Sequence, residues 1–170
     1  MASDWTPMKL IDSSKIGIIT LIAIVSLQFN QPASANQSIK NMIEGKAYIQ
    51  ENGLKSGVIS LPSGLQYKVL KQGSGYSPQI NDSVMVHYTG TLINGTIFDT
   101  SRKPDSSPAK FEVNRVIQGW TEALLMMKEG DRWQLTIPAD IAYGDSEKPN
   151  IPAHSVLLFD VELIKVIKAF

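Results

Sequence analysis

The segment from Val116 to Gly130, VIQGWTEALLMMKEG, constrains this chain more than any other, because it reads as one short helix with strand-like sequence on both flanks. At 3.6 residues per turn, Ile117, Trp120, Leu124 and Met127 fall on one face, and Gly130 follows where a C-terminal cap belongs. A lone helix with such a stripe cannot bury it against itself. A sheet must cover it, and Trp120 either fills the resulting core or floors a pocket in it.

The flanks supply that sheet. Leu65, Tyr67 and Val69 alternate with Gln66, Lys68 and Leu70, and Val84, Val86 and Tyr88 alternate with Met85, His87 and Thr89. Asn94-Gly95, between Thr91-Leu92-Ile93 and Thr96-Ile97-Phe98, predicts a hairpin closed by a two-residue type I′ turn. After the helix, Arg132–Ile137 places Trp133, Leu135 and Ile137 on one face, and Val156–Val166 does the same with Leu157, Phe159, Val161 and Leu163. Strands, one helix and further strands predict an α+β fold: an antiparallel sheet curled as a half-barrel over one short helix. Two long proline-containing loops, Ser101–Pro108 and Tyr143–Pro152, are of a length that more often serves function than connection.

Upstream, Ile39, Met42 and Ile43 have helical spacing in a polar stretch that Gly45 weakens and Asn52-Gly53 ends. This predicts a short amphipathic helix in an extension over residues 36–60, with the main domain over 61–170. Residues 1–35 differ in character. Lys9 and Lys15 precede an apolar run from Ile16 to Leu27, followed by Pro32 and Ala33-Ser34-Ala35, the layout of a secretory signal peptide cleaved after Ala35. The run is too short for the roughly 20 residues of a membrane-spanning helix. Asp4 and Trp5 do not suit a basic leader, so a start at Met8 is the expectation.

Sixteen basic residues balance sixteen acidic ones, which argues against capture of nucleic acid. The absence of cysteine excludes disulfides, thiolate catalysis and cysteine-ligated metals. His87 and His154 have no metal-ligand spacing, and no G-x-S-x-G nucleophile motif is present. Gly73-Ser74-Gly75 reads as a turn between strands rather than a phosphate loop. No metal or cofactor is expected. What remains is a set of aromatics where strands meet loops: Tyr88, Phe98 beside Asp99, Trp120, Tyr143 and Phe159. A sheet curled over the helix would bring them together as a concave cup suited to an apolar ligand.

The segments VHYTGTLINGTIFDTS, VIQGWTEAL, IPADIAYGD and IPAHSVLLFDVELIKV resemble, in order and spacing, the FKBP family of peptidyl-prolyl cis/trans isomerases, over about Leu61 to Ile167. LPSGLQYKVL and EGKAYIQENGLKSGV are similar to its macrophage-infectivity-potentiator branch, whose members are exported to the periplasm or outer surface. The resemblance implies an isomerase that acts on X–Pro bonds of exported polypeptides, or alternatively a non-catalytic chaperone using the same pocket. It implies Trp120 as pocket floor, Tyr88, Phe98 and Phe159 as walls, and Val116 and Ile117 at the helix entrance. The Ile117 N–H and the Tyr143 hydroxyl would hold ligand carbonyls, Asp99 would stand at the pocket edge, and Ile151 would sit in the loop above. Macrolides of the FK506 or rapamycin type are the implied inhibitors. Two positions depart from the family prototype: Ala109 replaces a phenylalanine wall, and Pro104 falls where an arginine pairs with the pocket aspartate. Longer members of the branch dimerise through an extended N-terminal domain. The short segment 36–60 leads instead to the expectation of a monomer.

Overall fold

The computed structural model of the chain describes residues 33–169; the expected leader lies outside them, apart from its last residues. Within the compact unit Gln37–Phe170, seven strands form one open antiparallel sheet. They are β1 (Ile59–Ser60), β2 (Gln66–Lys71), β3 (Ser83–Leu92), β4 (Ile97–Thr100), β5 (Ala109–Glu112), β6 (Arg132–Ile137) and β7 (Leu157–Ile167). Among the described residues two α-helices accompany them, α1 (Ala33–Gly53) and α2 (Gln118–Met126). The expected α+β architecture is present, with α2 as the single helix inside the curl.

The order along the sheet is β1-β2-β6-β7-β3-β4, with β5 also paired to β3. The far edge of β3 is therefore shared: Ser83–Val86 pair with β5, and Thr89–Thr91 pair with β4. The loop 101–108 leaves the sheet between these two short partners. On β3 the pattern is strictly alternating, with Val84, Val86, Tyr88 and Gly90 turned inward and buried. Leu157, Phe159, Val161 and Leu163 do the same on β7, as the period of two predicts. From the helix side Trp120, Ala123, Leu124 and Met127 complete the core.

Three local expectations are corrected. The hairpin is present, but Gly95 alone in its loop has a positive φ (85°), and its N–H donates to the Leu92 carbonyl. That is a three-residue connection with glycine in the left-handed position rather than a type I′ pair. Helix α2 ends at Met126, and Gly130 (φ 92°) serves the next turn, where the Asp131 N–H donates to the Lys128 carbonyl. On β2 the polar Gln66 is buried and Val69 is exposed, because the Gln66 amide is engaged by α1 and β1: it donates to the Ile49 carbonyl (2.9 Å) and Ser60 Oγ (3.1 Å) and accepts from Asn52 (2.9 Å). The strands Ile59–Ser60 and Ala109–Glu112, two and four residues long, are additional to those expected.

Helix α1 passes through Gly45 without a break. A Cβ there would lie 2.7 Å from Val156 Cγ2, so the glycine that weakens the isolated helix is what lets it approach the domain. Asn41 Nδ2 donates to the Ala153 carbonyl (2.8 Å) and extends that contact. The predicted apolar residues Ile39, Met42 and Ile43 face solvent, each more than half exposed.

Candidate active site

The cup forms where β3, β4 and β7 curl over the first turn of α2. Tyr88 reaches it as an inward residue of β3, Phe159 comes from β7, Phe98 from β4, and Trp120 rises from α2. Edge-on packing fixes the rings. Trp120 lies 5.3 Å from Tyr88 at 89° and 5.2 Å from Phe159 at 79°, and Phe98 lies 5.5 Å from Phe159 at 87°. These separations suit the edge-to-face arrangement that ring quadrupoles favour. Gly90 makes room for the walls: a Cβ at this inward position would come within 2.6 Å of the Phe98 ring and 2.8 Å of Phe159.

The resulting cavity has a volume of about 370 Å³ and is lined by Tyr88, Phe98, Asp99, Phe111, Arg115, Val116, Ile117, Trp120, Tyr143 and Phe159. Eight of the nine residues singled out from sequence are in that lining. Ile151 is not: it is buried in the core at 6 % exposure, held by a β-bridge to Lys148. Two lining residues escaped the sequence reading, Phe111 and Arg115. Phe111 lies 5.7 Å from Tyr88 and 5.5 Å from Trp120 and supplies a wall from β5. The signal for it was Ala109 itself, since on a strand the residue two positions on shares the same face.

Asp99 has a partner without an arginine. Its carboxylate accepts a short hydrogen bond from the Tyr88 hydroxyl, while Arg102 turns away to Glu162 (3.3 Å) and Asp160 (3.5 Å). Burial first, and then the bond to Asp99, push the Tyr88 phenol well above its usual pKa, so it remains a donor throughout the neutral range. At the mouth, Tyr143 is 36 % exposed with the Lys148 ammonium 5.6 Å from its ring centre. Ile117 is the N-cap of α2 with an extended backbone, and among the described residues its N–H has no acceptor. The Trp120 indole N–H, on the floor, is likewise buried without an acceptor among them. The cup thus offers apolar walls and a few unpaired donors.

A larger hollow of about 430 Å³ lies on the opposite face of the sheet, beside Tyr48 and Asn52 of α1. Its floor is hydroxyls, amides and ion pairs, and Arg132 there is already bound to both oxygens of Asp160 at 2.8 Å. The aromatic cup is therefore the candidate site.

Residues 75–164 match the family described as FKBP-type peptidyl-prolyl cis-trans isomerase, and residues 19–69 match the domain described as amino terminal to it. The chain is 45 % identical over 150 residues to the outer membrane protein MIP of Legionella longbeachae, covering 88 % of this chain and 62 % of that one. It is 50 % identical over 125 residues to the FKBP-type 22 kDa peptidyl-prolyl cis-trans isomerase of Escherichia coli strain K12, covering 73 % and 60 %. It therefore spans about three-fifths of the length of these relatives. Among solved structures, FkpA from Escherichia coli superposes with a TM-score of 0.78 at 36 % identity, covering 95 % of this chain and 76 % of that one. The peptidyl-prolyl cis-trans isomerase of Pseudomonas syringae gives 0.70 at 34 % identity, with 82 % and 98 % covered.

Proposed function

This chain belongs to the FKBP-type peptidyl-prolyl cis-trans isomerase family, and on that premise we propose that it accelerates cis/trans isomerisation of X–Pro bonds in polypeptides. The observation that carries the reading is the meeting of four aromatic rings around one helix entrance: Tyr88, Phe98, Trp120 and Phe159. Rotation about the amide faces a barrier of about 18–20 kcal/mol, because resonance gives the C–N bond double-bond character. The planar amide is the charge-separated form that water stabilises. A prolyl ring held against the Trp120 face places its amide in a water-poor surround that favours the less polar twisted state. The unpaired Ile117 N–H and the Tyr143 hydroxyl hold the flanking carbonyls so that rotation occurs about one bond. Asp99 fixes Tyr88 in the wall by accepting its hydroxyl. Every ~1.4 kcal/mol removed from the barrier gives tenfold in rate, and the scheme uses no nucleophile.

Exchange spectroscopy on a proline tetrapeptide tests this directly. Folded protein that leaves the exchange rate at its uncatalysed value would refute the isomerase reading. The cavity volume also suits a small apolar ligand. A macrolide of the FK506 or rapamycin type is expected to compete with peptide and to change Trp120 fluorescence.

Export to the periplasm, with cleavage after Ala35, is part of the same proposal. It rests on the leader-like sequence of residues 1–35, and among the described residues no helix is long and apolar enough to cross a membrane. Mass spectrometry of exported material tests the cleavage: a mature chain that does not begin at Asn36 would overturn it. The working state is a monomer. Among the described residues Ile39, Met42 and Ile43 are the exposed large apolar side chains of α1, and three such side chains fall short of the ~800 Å² per partner of a stable interface. Sedimentation that gives a dimer at micromolar concentration overturns it.

A further inference from the structure

We propose that Arg115 makes the cup select proline segments by charge, favouring those with an acidic residue next to the proline. The inference rests on the isomerase reading above and names a substrate class within it. Only two charged side chains line the cavity, Arg115 and Asp99. Asp99 already holds the Tyr88 hydroxyl, whereas Arg115 is 77 % exposed and is met only by Glu112, which takes Nε at 2.9 Å. Its two terminal amino groups therefore have no acceptor among the described residues.

Position makes this cation matter. Arg115 stands two residues before Ile117, whose free N–H is the carbonyl anchor, so a segment docked there runs past the guanidinium. A planar guanidinium with free N–H groups matches a carboxylate in shape as well as charge. Asp99 repels a second acid at the hairpin end of the cup. The two charges make it polar from end to end, so an acidic residue is favoured on one side of the proline only. A pair this exposed supports roughly a two- to fivefold preference.

The test uses the full chain and two peptide sets, with Glu, Gln or Lys immediately before the proline in one set and immediately after it in the other. The quantity read is the Glu-to-Lys ratio of kcat/KM within each protein. The expected result is a ratio of roughly two to five in one set, reduced in about 0.5 M salt as screening predicts. It should collapse in Arg115→Gln, invert in Arg115→Glu and rise in Glu112→Gln, which frees the guanidinium. A ratio unchanged across these variants, while the Gln peptides are still accelerated, overturns the charge selection and leaves the isomerase reading standing. No acceleration of any peptide by the wild-type chain overturns both.

Discussion

The Tyr88 hydroxyl joins the wall of the cup to its edge, and its chemistry gives two expectations at the scale of single residues. Tyr88→Phe keeps the ring but removes the donor to Asp99. Because Asp99 retains contact with solvent, the loss sits at the low end of hydrogen-bond values, about 1 kcal/mol in urea unfolding, and kcat/KM falls less than tenfold. Trp120→Ala differs in kind: it empties the floor of a packed core, with an expected cost of about 3–5 kcal/mol and loss of measurable isomerase activity. The second expectation concerns pH. Tyr88 in the folded protein titrates above its unfolded value near 10, so above that pH the unfolded chain gives up its proton first. Stability is fully present below about pH 10 and declines as pH rises beyond it. The decline should be shallower in Tyr88→Phe, measured as the slope of unfolding free energy against pH. Phe111 belongs to the same scale. The departure at Ala109 pointed to a missing wall, and the strand's period of two fills it from the next inward position.

At the scale of elements, two glycines set distances that side chains would spoil. Gly90 is an inward position of β3 covered by Phe98 and Phe159. Gly90→Val is expected to lower kcat/KM at least tenfold by displacing both walls, and to cost about 1–3 kcal/mol of stability through overpacking. A crystal structure of that variant with both rings unmoved would contradict the argument. Gly45 holds α1 against Val156. Gly45→Leu improves helix propensity by nearly 1 kcal/mol yet removes the seat, so hydrogen exchange should show protection lost across Asn41–Asn52 while the β3 and β7 amides stay protected. The sequence reading saw only the propensity half of this. Propensity is a property of the isolated segment, and close approach is a property of two elements together. The same distinction explains Gly130, which sequence places as the C-terminal cap of α2 but which turns the chain into β6 with a left-handed φ.

At the scale of the whole molecule, Asp82 ties the start of β3 to the segment that follows β7. Its buried carboxylate accepts from the Gln79 N–H (2.8 Å), the Ala169 N–H (2.9 Å) and the Lys168 ammonium (3.3 Å). The Gln79 bond foremost, then that of Ala169, lower its pKa against the opposing effect of burial. A lowered folded-state pKa gives stability that is present above the ordinary carboxylate range and is lost as pH falls through it. Asp82→Asn is therefore expected to be less stable than wild type at pH 7, with the difference closing as pH drops below about 4. Chemical melts at the two pH values read this. A constant difference would mean that the clasp acts through shape alone.

Two short periods, 3.6 for the helix and 2 for the strands, are local, and so the sequence by itself determined the α+β class, the inward rows of β3 and β7, and the aromatic set from Tyr88 to Phe159. Of the nine candidate residues singled out from sequence, eight line one cavity. What local pattern could not decide is which side chains meet across elements. Phe111 enters the cup because β5 pairs with β3 in one particular register, and Ile151 leaves it because its loop folds back through Lys148 into the core. Asp99 meets the Tyr88 hydroxyl because β4 lies antiparallel beside β3. These are long-range pairings, and only the closed tertiary structure brings their partners within hydrogen-bond and van der Waals reach.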